Sequence, residues 1–140
     1  MSIERTLVLI KPDGVRRGLV GEILSRYERK GLTLVALEHR TATGALADEH
    51  YAEHTSKDFY PPLRKFILSG PLVALVLEGD NAIECVRLLN GKTDGRVAEA
   101  GSIRGDLALS NRENLVHGSD SAESAARELK IWFPDVSPSV

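Results

Sequence analysis

Asn114-Leu115-Val116-His117-Gly118-Ser119-Asp120-Ser121 is the stretch of this chain best equipped for chemistry. Imidazole is nucleophilic near neutral pH, because much of it is then unprotonated. It serves well only when a hydrogen bond orients its second nitrogen. Glu128, on the helical pattern that follows, is the nearest acid suited to that task. The adjoining helix N-terminus would also favour phosphate. A lone histidine is more often structural, so the assignment needs other groups around it.

Two further segments supply them. Lys11-Pro12-Asp13-Gly14 closes an apolar run, which puts Lys11 at a strand end, where ligands of α/β proteins tend to sit. A lysine there offers a compact positive charge to a phosphate. Residues 87–106 offer Arg87, Lys92, Thr93, Arg96 and Arg104. Guanidinium groups hold phosphate oxygens through several donors at once. Gly91-Lys92-Thr93 is not a P-loop, because the upstream glycine spacing is missing.

The elements that must carry these groups follow from apolar spacing. Nearly continuous apolar runs predict strands over residues 5–11, 32–40 and 72–78, the first and third buried on both faces. A fourth strand is expected within 103–109. Helical spacing predicts helices over 20–30, 45–54 and 82–89, a short one after Pro61-Pro62, and one over 121–133. Asp120 and Glu123 suggest an aspartate-led capping box for the last. Pro12-Asp13-Gly14 reads as a turn, and residues 90–104 as a long loop of the kind that is often functional. This order fits an α/β chain (an α+β sandwich) with a ferredoxin-like four-stranded antiparallel sheet and helices on one face. A flavodoxin-like open sheet fits the bare pattern as well. We expect one domain over residues 1–134 and a loose tail over 135–140.

Composition limits the partners. At 140 residues with 42% apolar and 27% charged content, the chain has enough material for a globular core. A net charge of -2 gives no bulk attraction to nucleic acid or anionic lipid. The start lacks a signal-peptide pattern and no apolar run could span a membrane, so a cytoplasmic location is expected. Cys85, the single cysteine, reads as an ordinary buried or half-buried thiol.

Taken together, the His117 stretch, Lys11-Pro12-Asp13-Gly14, Ser69-Gly70-Pro71 and Gly101-Ser102-Ile103-Arg104-Gly105-Asp106 closely resemble the nucleoside diphosphate kinase family. The likeness runs from Arg5 to Phe133. It implies ping-pong transfer of a terminal phosphoryl group, from ATP or another nucleoside triphosphate to a nucleoside diphosphate, by way of a phosphohistidine at His117. It implies that Glu128 and Ser119 hold the imidazole and that Tyr51 lies beside it. Lys11 would meet the sugar hydroxyl and the moving phosphate. Arg87, Thr93 and Arg104 would hold phosphates, Asn114 the ribose, and Phe59 would stack on any base. Mg²⁺ would ride on the nucleotide, with no protein metal cage. A homo-oligomer is implied, a hexamer rather than a tetramer, with no membrane or nucleic-acid partner required. Rival readings are a non-enzymatic module on the same fold and a phosphocarrier protein. The complete set of site residues argues against the first, and Phe59 with Asn114 against the second.

The chain departs from the family pattern at several places. Asp58, Phe59 and Tyr60 replace a Pro-Phe-Phe series, and Asp94-Gly95 and Ala100 stand where prolines are usual. The lost prolines predict a looser loop and weaker subunit contacts. Asn111 and Glu113 alter the base-side segment. His39, His50 and His54 read as packing or pocket-wall residues without a metal role.

Overall fold

The computed structural model describes residues 2–140. Strand β1 (Ile3–Ile10) lies inside a four-stranded sheet of order β2-β3-β1-β4, with β2 spanning Thr33–Arg40, β3 Leu72–Asp80 and β4 Val116–Gly118. Every pairing is antiparallel, and His117 of β4 stands opposite Leu9 of β1. The ferredoxin-like sheet read from the element order is therefore the sheet observed.

Helices cover both faces, not one. Alternate residues of a strand point to opposite sides, and β1 is apolar on both. Val8 and Ile10 pack with Leu75 and Leu77 of β3 against Ile23 and Tyr27 of α2 (Val20–Lys30) and Val86 of α5 (Ala82–Asn90). Leu7 and Leu9 face the other way, with Ala74 and Val76. They meet Ala47 of α3 (Gly44–His50), Ile67 of α4 (Tyr60–Ile67), and Leu129 and Trp132 of α7 (Ala122–Trp132). Each Val, Leu or Ile among them, fully buried, contributes about 1.5–3 kcal/mol. A strand apolar on both faces requires a layer on each, which is why the one-sided arrangement fails.

Three local expectations are corrected. Residues 103–109 hold no strand. They form a short helix, α6 (Ile103–Leu107), because the Ser102 hydroxyl accepts the Gly105 N–H at 3.0 Å and starts a turn there. Pro12-Asp13-Gly14 opens another short helix, α1 (Pro12–Arg16), with proline in its first turn, where no N–H is needed. The N-cap of α7 is Ser121, whose hydroxyl accepts from Ser124 N at 3.1 Å, rather than Asp120.

The helix expected to reach residue 54 stops at His50 and continues as turns. Among the described residues no helix is long and apolar enough to cross a membrane.

The segment around Gly95, where a proline is usual, makes contacts of its own. Gly95 N donates to the Ser110 carbonyl at 3.2 Å, and Arg96 forks onto both Asp94 oxygens at 2.9 and 2.7 Å. A side chain at Gly95 would run into the backbone carbonyl of Ala108, so this glycine allows a close approach that proline would not.

Gly118 is a second such contact. A Cβ there would lie 2.9 Å from Val86 Cγ1 and 3.0 Å from Asn90 Nδ2 on α5. Gly118→Ala is expected to lower stability by about 1–3 kcal/mol through overpacking, read as a fall in urea midpoint at unchanged slope.

Candidate active site

The backbone just before His117 is strained and firmly held. Leu115 has φ +74°, unusual for a residue with a branched side chain, and is fully buried. Its N–H donates to Asp13 Oδ2 at 3.2 Å, and its carbonyl accepts from Lys11 N at 2.8 Å. Arg104 closes the other side. It donates to the carbonyls of Gly91, Asn114 and Val116 at 2.8, 3.2 and 2.5 Å. Sequence reading made Arg104 a phosphate ligand, and the structure adds that it braces the turn. These contacts aim β4 so that His117 emerges half-buried at the floor of a cleft of about 1040 Å³.

Behind His117 stands Glu128, from the buried face of α7. His117 Nε2 lies 2.8 Å from Glu128 Oε1, and the Ser119 hydroxyl donates to the same oxygen at 2.7 Å. Burial pushes the Glu128 carboxyl up. The hydrogen bond and charge of His117, with lesser help from His50 and Ser119, outweigh burial and leave it below its ordinary value. Glu128 is therefore ionised at neutral pH and can only accept. In the neutral ring of His117 the proton is then on Nε2, and Nδ1 keeps a free lone pair.

The cleft gathers nine of the ten residues singled out in the sequence: Lys11, Tyr51, Phe59, Arg87, Thr93, Arg104, Asn114, His117 and Glu128. Ser119, the tenth, is wholly buried behind Glu128 and does not reach the wall. Lys11 Nζ donates to Asn114 Oδ1 at 2.8 Å, while Asn114 Nδ2 donates to the carbonyls of Thr93 and Asn111 at 2.9 and 3.0 Å. Lys11 is pulled down to about 8, first by burial and then by the Arg104 charge, with Asp13 opposing. Tyr51 is pushed up, chiefly by burial and then by Glu128, so it remains a neutral hydroxyl. Phe59 is 46% exposed, an open aromatic face beside His54.

Sequence reasoning missed the place of His50. It was read as packing, yet its ring meets His117 edge-on with centroids 4.7 Å apart. The only sequence signal was its position directly before Tyr51.

His50, His117 and Glu128 also form the one group of three metal-ligand residue types among the described residues, with ligand atoms within 4.8 Å. It does not suit Mg²⁺, which demands oxygen ligands. It has a single carboxylate, one of whose oxygens is already taken by His117 and Ser119. The wall of Lys11, Arg87, Lys92, Arg96, Arg104 and Arg112 suits instead the phosphates that would bring the ion.

Known proteins place the chain. A sequence model of the family described as nucleoside diphosphate kinase matches residues 4–137. The nucleoside diphosphate kinase of a Nocardioides species is 73% identical over 130 residues, which cover 93% of this chain and 96% of that protein. That of Mycobacteroides abscessus is 65% identical, covering 94% and 97%. Among solved structures, a halophilic nucleoside diphosphate kinase from Halobacterium salinarum, in complex with CDP, superposes with a TM-score of 0.92 at 46% identity, covering 98% of this chain and 91% of that one. A nucleoside diphosphate kinase family protein from Babesia bovis superposes with a TM-score of 0.91 at 46% identity, covering 98% and 92%. With a family match over nearly its whole length, and a His117–Glu128 pair at the floor of a cationic cleft, the chain belongs to the nucleoside diphosphate kinase family.

Proposed function

We propose that this enzyme moves the terminal phosphoryl group of a nucleoside triphosphate to a nucleoside diphosphate through His117. The observation that carries this reading is a half-buried imidazole lining the cleft whose Nε2 lies 2.8 Å from Glu128 Oε1, which leaves Nδ1 as the nitrogen available for attack.

Nδ1 attacks the terminal phosphorus. The N–P bond forms as the P–O bond to the departing diphosphate breaks, and the diphosphate leaves as an oxyanion. The Nε2 proton stays in place, and Glu128 offsets the positive charge that the ring gains. The acceptor diphosphate then attacks the same phosphorus and the N–P bond breaks, which restores the neutral ring.

Such transfer depends on alignment and charge stabilisation more than on covalent chemistry. Lys11, Arg87 and Arg104 supply positive charge, with Thr93 as an added donor. Tyr51 offers a neutral hydroxyl beside the imidazole. The ribose hydroxyl meets the Lys11–Asn114 pair, and Phe59 stacks on the base without reading its edges, which gives broad base tolerance. Mg²⁺ would be carried by the nucleotide phosphates, which Lys11, Arg87 and Arg104 would hold. When bound it would neutralise phosphate charge. Nucleotide substrates are consistent with action in the cytoplasm. We read residues 1–134 as the catalytic unit and 135–140 as a tail outside it, although Val136 packs on the core and Arg5 donates to the Ser137 carbonyl at 2.9 Å.

A γ-labelled nucleoside triphosphate with Mg²⁺ is expected to leave acid-labile label on the protein, and an unlabelled diphosphate to remove it. His117→Ala should take up none. If that variant accepts and passes on label as the native chain does, the reading is wrong.

Charge on Lys11 gives a second expectation. The active form is protonated, and the proton is lost as pH rises through about 8. kcat/KM, which reports the free enzyme, should therefore hold up to neutral pH and fall above about 8. Lys11→Arg should carry that limb to higher pH even at reduced rate. A native profile flat to about pH 10, beyond any lysine value near 8, would remove Lys11 charge from the mechanism.

Assembly is part of the proposal. Val35 and Leu37 on edge strand β2 are 36% and 45% exposed, which suits a surface covered by another copy. We expect a homo-oligomer, six copies rather than four. Sedimentation mass across a range of concentrations distinguishes these, and a monomer mass throughout would refute assembly.

A further inference from the structure

His50 is a buried polar side chain beside the nucleophile, and the phosphoryl-transfer reading gives it no part. It is 4% exposed at the last turn of α3. Its ring packs edge-on against three others: Tyr51 at 4.6 Å, His117 at 4.7 Å and Trp132 at 5.7 Å between centroids. If volume were all that mattered, a phenylalanine would fill this space without burying polar atoms.

One hydrogen bond makes the choice of imidazole informative. Trp132 Nε1 donates to His50 Nδ1 at 3.0 Å. The indole nitrogen is only a donor, so His50 Nδ1 must be the bare nitrogen and Nε2 carries the proton of the neutral ring. The tautomer and the ring plane are both set by that contact. Trp132 also lies four residues after Glu128 on α7, so the two share a helix face one turn apart. Helix α7 thus reaches His117 by two routes. Glu128 bonds its Nε2 directly, and Trp132 acts through the His50 ring.

We propose that His50 is a positioning residue for His117: fixed by Trp132, its ring sets the tilt of the imidazole so that Nδ1 faces the cleft while Nε2 stays on Glu128. A single hydrogen bond leaves a ring free to swing about that bond. A perpendicular neighbour removes the freedom. Burial, and next the nearby His117, push His50 down to about 3, against the pull of Glu128. His50 therefore stays neutral and does not compete as a cation for the carboxylate that His117 needs.

The inference rests on His117 being the phosphoryl carrier, and the experiment keeps the two apart. Rapid-quench labelling with a γ-labelled nucleoside triphosphate is run on the native chain, His50→Ala, His50→Asn, Trp132→Phe and the His50→Ala/Trp132→Phe pair. Ångström-scale misplacement of reacting groups slows a reaction by up to about 10²-fold. His50→Ala is expected to slow labelling of His117 by at least about tenfold with KM for nucleotide within about twofold. Trp132→Phe should slow it less, and the pair should be no slower than His50→Ala alone, because both changes remove the same constraint.

His50→Asn keeps an acceptor for Trp132 at lower cost to folding, and should fall between the native chain and His50→Ala. The His117 ring should keep its Nε2–H tautomer in every variant, because Glu128 still fixes it, while nitrogen-15 and carbon-13 relaxation should show a rigid ring in the native chain and a mobile one in the His50 variants. Unchanged labelling rates and an equally rigid His117 ring in folded His50 variants would overturn the proposal, leaving His50 a packing residue. Absence of label on the native chain would overturn the carrier reading instead.

Discussion

The bond between His117 and Glu128 joins two elements far apart in the chain. His117 sits on a three-residue strand, and Glu128 on the last helix. Both are referenced to β1. Strand β4 pairs with it edge to edge, and α7 packs on the face that Leu7 and Leu9 present. A 2.8 Å hydrogen bond tolerates little drift. The apolar double burial of β1 is therefore what keeps a carboxylate and an imidazole in register. The nucleophile is made by the core as much as by its own residues.

The turn at Leu115 shows the same dependence from the other side. A left-handed conformation at a bulky residue costs on the order of 1–3 kcal/mol. It persists here because Lys11, Asp13 and Arg104 hold the backbone of residues 114–116 from both sides. Lys11 and Arg104 are also among the cations of the cleft. Two residues proposed to meet phosphate thus help to shape its wall.

Much of this was legible in the residues. The apolar runs marked β1 and β3, and helical spacing marked α2, α5 and α7. Lys11, His117, Glu128 and the arginines were candidates by type and position, while Tyr51, Phe59, Ser119 and Asn114 entered through the family resemblance, and the cleft is lined by all of these but Ser119. Strand β4 was not legible, since Val-His-Gly is too short to display a period of two. Residues 103–109 misled because Ile103, Leu107 and Leu109 suit a strand, whereas the Ser102 cap decides for a helix. The layer on the second face was implied by the unbroken apolar runs but not by the order of elements. His50 was hidden because its partners, Trp132 and His117, are far away in sequence and only packing brings them together.

The long sequence separation of these contacts has a consequence for the newly made chain. Lys11 bonds a residue 103 positions away, and Asp13 one 102 positions away. The carboxylate that caps His117 arrives with α7, the last helix of the fold. A chain released or cut before α7 would display the histidine but leave both ring nitrogens to solvent. On the proposed mechanism, label on His117 would therefore report that α7 is in place.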